Sequence, residues 1–368
     1  SEVKKMKFLN NKSKDKSNYF NYIAALLLVL FISSILILIQ GSNPLIAFRQ
    51  IILGSIGSKS AIASSIRWST PVILSSMAAV IAQRSGINNL GIDGQIYVGA
   101  FFTAIVGAFL PLPDGVHVFV AIVIGGVTGA LFALIPAILK IFFKVNEMII
   151  TLMFNYIAIL LTEYFTMQLM GLDANTSPDM IATPEILPTS KLTAILPPYQ
   201  ASTGIFISIF VFIIIFLVYK YTKTGYEWKM IGKNSVFAQY GGIKVIKNYI
   251  LIFITSAFVA GVCGSIEILG PNLRFRNNFQ TSIGWDGIMV ALVAKNNPFG
   301  AFVTAIIWGC IKAGSLSMER TTSVNRILVT LVQALFVLFV TIDIKSVYLD
   351  IKSRISKNIK KGLGEHNV

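Results

Sequence analysis

VHVFVAIVIGGVTGALFALIPAIL, residues 116–139, runs for 24 positions without a formally charged side chain. As an α-helix rising 1.5 Å per residue it would be about 36 Å long, enough to cross a hydrocarbon core about 30 Å thick. Only His117 and Thr128 carry polar side chains, so the helix is apolar on every face, the pattern of a lipid-embedded or fully buried segment. Similar runs lie at 17–40, 68–83, 90–110, 146–170, 202–220, 248–269, 283–295, 299–317 and 324–344. The expected architecture is therefore all-α and polytopic, with about ten transmembrane helices in one membrane domain spanning 17–344. The flanks are a leader, 1–16, and a tail, 345–368.

Composition agrees. Of 368 residues, 55% are hydrophobic and only 13% charged, and the mean hydropathy is +0.73, too little polar surface to clothe a soluble globule. The net charge of +15 does not signal nucleic acid, because the basic residues sit between apolar runs and form no solvent-facing patch. Two histidines, His117 and His366, cannot build a histidine-rich metal centre, and no metal is implied. Cys263 and Cys310 lie inside apolar segments and read as small packing residues.

The cations set the orientation. The 17–40 run is too long for a signal-peptide core and reads as a retained crossing. With the N-terminus in the cytoplasm and ten crossings, 22 of the 31 Lys and Arg fall inside, the asymmetry of the positive-inside rule, and both termini are cytoplasmic. The nine others, among them Arg49, Lys59, Lys191, Arg274 and Arg320, fall outside or in outer helix ends. The 283–295 run is short enough to be re-entrant, but that would carry the cationic tail outside, so a short crossing is expected. Residues 42–67 suit a surface-lying helix. Residues 171–200, with five prolines and Asp173, Asp179 and Glu185, form a long outer loop, either plainly solvated or a docking surface for an extracytoplasmic partner.

Polar and glycine-rich backbone inside apolar runs is costly unless it faces protein or water, and so marks candidate functional positions. The clearest case is GINNLGIDGQ, 86–95, which predicts an unwound or kinked entry to the next helix. Asn88, Asn89, Asp93 and Gln95 are candidates for pore lining or gating; Asp93 alternatively caps a helix beginning at Gly94. A second Gly-x-Asp-Gly, containing Asp286, occurs at 284–287, and the topology puts the first copy at the inner side and the second at the outer. Five crossings per half would give two inverted repeats, as in many transporters. Asn155 and Glu267 lie deep enough to line a solute path or to bond between helices. Glu147 and Lys312, near helix ends, read as snorkelling residues.

The inner loop 221–247 carries an amphipathic stretch, Glu227 to Tyr240, bracketed by Gly225 and the pair Gly241-Gly242. Its Gly232-Lys233-Asn234-Ser235 lacks the first glycine and the hydroxyl residue of a phosphate loop, so this chain is not expected to hydrolyse ATP.

At GINNLGIDGQIYVGA (86–100), VNEMIITLMFNYIA (145–158), GYEWKMIGKNSVFAQYGGI (225–243) and GWDGIMVALVAKNNPFGAF (284–302), the sequence resembles the permease subunits of bacterial ABC importers for nucleosides and simple sugars, a family that includes branched-chain amino acid permeases. The first block resembles that family's Asn-Ile-Gly-x-Glu-Gly-Gln signature, with Leu90 for the isoleucine and Asp93 for the glutamate, and is closer to its nucleoside branch. The resemblance implies a multi-pass protein of the bacterial cytoplasmic membrane and a nucleoside cargo. It implies as partners a second homologous permease, ATPase subunits that bind the ATP and Mg, and a substrate-binding lipoprotein. It makes 225–243 a coupling element, in which Gly225, Trp228, Gly232, Asn234, Ala238, Gly241 and Gly242 would meet the ATPase. A simple-sugar permease and an ion-coupled carrier are the alternatives; an intramembrane enzyme is disfavoured for want of a catalytic constellation.

Overall fold

The computed structural model describes residues 27–171, 181–277, 279, 282–322 and 324–341. The leader 1–16, the tail 345–368, the start of the first run and the loop positions Asp173, Pro178 and Asp179 lie outside the described residues. Among the described residues thirteen α-helices are seen: α1 (Leu27–Ile39), α2 (Pro44–Ile56), α3 (Lys59–Arg84), α4 (Ile92–Phe109), α5 (Val116–Phe143), α6 (Glu147–Met170), α7 (Gly204–Tyr221), α8 (Lys223–Lys233), α9 (Ser235–Tyr240), α10 (Val245–Glu267), α11 (Ile283–Val293), α12 (Pro298–Thr321) and α13 (Arg326–Thr341). Among the described residues, seven helices are long and apolar enough to cross a membrane, and the α1–α2 pair, bent by 112°, would be an eighth. The protein is thus an all-α, multi-pass membrane protein.

Two boundaries differ from the sequence reading. Residues 42–67 are not one surface helix: α2 ends at Ile56 and α3 begins at Lys59, nine residues before the expected crossing. Ser58 causes this early start, because its hydroxyl accepts from Ala61 N at 3.1 Å and satisfies one of the first-turn donors. The 283–295 run is α11, only 11 residues long, which is about 16 Å of helix and roughly half of a bilayer core.

Residues Ile51–Gly314 make one compact unit; α1 with the first part of α2, and the end of α12 with α13, belong to a second. Every candidate site residue named from the sequence lies within the Ile51–Gly314 unit. Its centre is a glycine crossing of α4, α5 and α10. A β-carbon on Gly99 would sit 2.5 Å from Gly261 Cα and 2.9 Å from Gly125 O, so the three backbones touch only because none of these residues has a side chain. Toward the α4 C-terminus the core turns aromatic, with Phe275 edge-packed against both Tyr97 and Phe101. That end is closed by the loop 181–192. Thr183 N and Ile186 N donate to Phe275 O and Leu273 O, and Leu187 N donates to Gly107 O. At the opposite end lie α8 and α9.

Candidate functional site

Residues 85–91 between α3 and α4 are not helical, so their backbone groups need partners from elsewhere. The partners come from α6, whose Glu147, Thr151 and Asn155, four residues apart, share one face. Glu147 Oε1 accepts from Asn88 N at 3.2 Å and Thr151 Oγ1 from Leu90 N at 3.1 Å. Asn155 receives Gly94 N at 2.8 Å and donates to Leu90 O at 2.8 Å. The unwound entry thus climbs two turns of α6 with a side-chain rung at each step. Behind it, Asn89 and Gln95 are buried and bond each other through both amides, at 3.1 and 3.2 Å, and Asn89 also donates to Ser256 Oγ at 3.2 Å.

The two Gly-x-Asp-Gly copies meet. Asp93 does not cap its own helix: its Oδ1 accepts from Gly284 N at 2.6 Å, within the first turn of α11. Ser282, the residue before α11, supplies no side-chain cap, so the carboxylate of α4 takes that place. A β-carbon on Gly284 would lie 2.6 Å from Asp93 N, which is why the approach needs glycine. The copies therefore do not open at opposite faces, as the run count placed them. They start side by side, and their helices then run to opposite ends: α4 to the loop at Leu187, and α11 to the turn where Arg84 Nη1 donates to Asn296 O at 3.0 Å. Residue spacing could not reveal this contact between positions 191 apart.

Two ion pairs sit beside this junction. Arg67 of α3 holds Glu267 of α10 through two bonds of 3.3 and 3.0 Å. Past Glu267, α10 continues as one π-helical turn, Ile268–Asn272, and Asn272 Nδ2 donates back to Glu267 Oε2 at 3.2 Å. Lys312 of α12 pairs with Asp286, whose other oxygen accepts from Trp308 Nε1 at 3.1 Å. Trp68 lies between the pairs, its ring centroid 4.3 Å from Arg67 Cζ and 5.3 Å from Lys312 Nζ. Lys312 therefore does not snorkel. Nor does Glu147, which is bound by Lys140 at 3.1 Å and Tyr249 at 2.7 Å as well as by Asn88.

The amphipathic stretch 227–240 is two helices, not one. Asn234 ends α8 and caps α9, accepting from Phe237 N at 2.9 Å, because its side chain competes with helical continuation. Trp228, Ile231 and Ala238 face inward; Tyr226, Val236, Phe237 and Tyr240 are exposed. Trp228 Nε1 donates to Asn248 Oδ1 at 3.1 Å, and Thr222 caps α8 by accepting from Gly225 N at 3.1 Å. Gly241 ends α9, and Gly242 follows at φ +81. Gly232 packs on the turn that begins the unwound segment: a β-carbon there would be 2.9 Å from Ser85 C and 3.0 Å from Gly86 N, and nearer still to Arg84 O.

The sequence candidates thus fall into two groups joined by that glycine. Asn88, Asn89, Asp93, Gln95 and Asn155 belong to the unwound entry, with Asp286 and Glu267 beside it in the ion pairs. Gly225, Trp228, Gly232, Asn234, Ala238, Gly241 and Gly242 belong to α8, α9 and the turn after them. Arg67, Trp68 and Thr151 were missed. The only signal was the neighbouring Arg67 and Trp68, at the seam between the stretch read as lying on the membrane surface and the crossing expected from residue 68.

Residues 61–341 match the family described as branched-chain amino acid transport system / permease component. The chain is 30% identical over 317 residues to the guanosine ABC transporter permease protein NupP of Bacillus subtilis, covering 86% of this chain and 91% of that one. It is 24% identical to the nucleoside ABC transporter permease protein NupB of Lactococcus lactis, over 85% and 87% of the two chains. Similarity to the glucose ABC transporter permease protein TsgB13 of Haloferax volcanii is 23%, over 87% and 86%. No solved structure matches.

Proposed function

From the premise that this chain belongs to the branched-chain amino acid transport system permease component family, we propose that it forms the translocation path for nucleosides in an ATP-driven importer of a bacterial cytoplasmic membrane. The chain is a transporter subunit, and hydrolysis, with its ATP and Mg, belongs to separate ATPase subunits. A sister permease completes the pore, and an extracytoplasmic binding lipoprotein delivers the cargo.

One observation carries the mechanism: the seat of Gly232 on Arg84–Gly86. The exposed Val236, Phe237 and Tyr240 enter an ATPase groove on the cytoplasmic side. When the ATPases close, α8 pushes on the turn at 84–86. That push reaches Asn88, Leu90 and Gly94 and, through the Glu147, Thr151 and Asn155 rungs, α6. Through Asp93 it reaches the start of α11. Two helix starts in the middle of the membrane then shift together, and access passes from one side to the other. Asn88, Asn89, Asp93, Gln95, Asn155, Glu267 and Asp286 line or gate the path in this reading.

The test is reconstitution of the complete transporter in vesicles. Nucleoside uptake that requires ATP and stops with a hydrolysis-dead ATPase supports the reading; uptake that persists without hydrolysis rejects it. The likeness to a glucose permease favours a sugar as the second reading. Binding measurements on the partner lipoprotein separate the two, because a sugar site would ignore the base.

A further inference from the structure

The ion-pair cluster of α3, α10, α11 and α12 has a front and a back. Glu267 and Asp286 are the back, only 3% and 7% exposed, while the Arg67 and Lys312 side chains are 14% and 19% exposed and Trp68 is partly open. Charged groups at membrane depth face water or protein, because lipid does not solvate them. Each of the two cations has its own buried carboxylate partner. What it presents forward is an indole flanked by a guanidinium and an ammonium, with the carboxylates holding both cations from behind.

On these observations we propose that Arg67, Trp68 and Lys312 form a cargo-contact site for a planar heteroaromatic ring. The indole offers a stacking face, which every nucleobase can use because each has a π-face. The flanking cations donate to ring nitrogens and carbonyls at the edge of the base, the acceptors that Arg and Lys read in purines. The cations reach the ring face at 4.3 and 5.3 Å, so an arriving base takes their place over the indole, and they turn from the ring to the edge of the base. The site already pairs each cation with a carboxylate. It therefore takes an uncharged base without needing an anionic cargo. This inference rests on nucleoside transport as proposed above and adds the residues that recognise the base.

The test uses the complete transporter in vesicles at saturating binding protein, with guanosine as probe and the binding protein's own affinity measured separately. Trp68→Phe keeps an aromatic face, and Trp68→Leu removes it. The expected result is uptake within about twofold of wild type for Trp68→Phe and a fall of about tenfold for Trp68→Leu, corresponding to about 1.4 kcal/mol. Basal ATP hydrolysis and subunit co-purification are expected to stay unchanged in both. Wild-type uptake by Trp68→Leu overturns the proposal, and so does equal loss in both variants, which would mark packing and not stacking. Should Trp68→Leu fail to assemble, photolabelling of the wild-type complex with 8-azidoguanosine decides: label on the peptide containing Trp68 supports the site, and label confined to other peptides overturns it. Absence of guanosine uptake by the wild type would instead remove the broader reading.

Discussion

Replacing Gly232 by alanine adds one methyl group at the seat between α8 and the unwound entry. That methyl would meet Ser85 C at 2.9 Å and Gly86 N at 3.0 Å, with Arg84 O closer still. All three are backbone atoms and cannot rotate away. Restoring an ordinary contact needs a retreat of about half an ångström or more, and overpacking of this kind costs about 1–3 kcal/mol. If that cost falls on the conformation in which the seat is tight, the equilibrium shifts by about 5- to 150-fold. Local helix propensity works the other way, since alanine favours a helix over glycine by about 1 kcal/mol, so any loss belongs to the contact. The assay is uptake per ATP hydrolysed in reconstituted vesicles. Gly232→Ala is expected to hydrolyse ATP within about twofold of wild type and to lose about tenfold in coupled uptake. Wild-type coupling in this variant would refute the mechanical link.

Asp93→Ala removes the side-chain cap of α11, worth about 0.5–2 kcal/mol, and Asp93→Asn retains an acceptor; thermal unfolding in detergent is expected to fall for the first and recover most of the loss in the second. Asn155→Ala strands Gly94 N and Leu90 O inside the protein, at about 1–3 kcal/mol for each unsatisfied group, and is expected to lower the unfolding temperature more than Asp93→Ala does. Glu267→Gln leaves the Arg67 guanidinium without its counter-charge, a change that costs about 3–5 kcal/mol for buried pairs; replacing both partners, Arg67→Met with Glu267→Gln, is expected to be milder than Glu267→Gln alone in the same measurement.

Much of the fold was legible because membrane crossings announce themselves locally. A run such as 116–139 needs no partner to be recognised. Gly86 to Gln95 likewise betrayed its broken helix by composition, because glycine and asparagine cannot hide inside an ordinary lipid-facing helix. What stayed hidden was every feature that joins distant segments. Asp93 looked like a cap for its own helix, and only the fold brings Gly284 to it. Arg67 and Glu267 are separated by 200 positions, and nothing near either residue names the other. The break at Asn234 was legible in principle, since asparagine is a strong helix-capping residue, yet the amphipathic pattern on both sides of it suggested a single helix. The seat of Gly232 was the least visible of all: a glycine inside a helix reads as a weak spot until the backbone pressed against it is known.

Tyr240, 90% exposed at the end of α9, offers the most direct probe of the central claim. A photoreactive amino acid placed there in the assembled transporter is predicted to cross-link to the ATPase subunit and to remain shielded from a membrane-impermeant reagent added outside the cell. Labelling from outside, with no ATPase adduct, would contradict it.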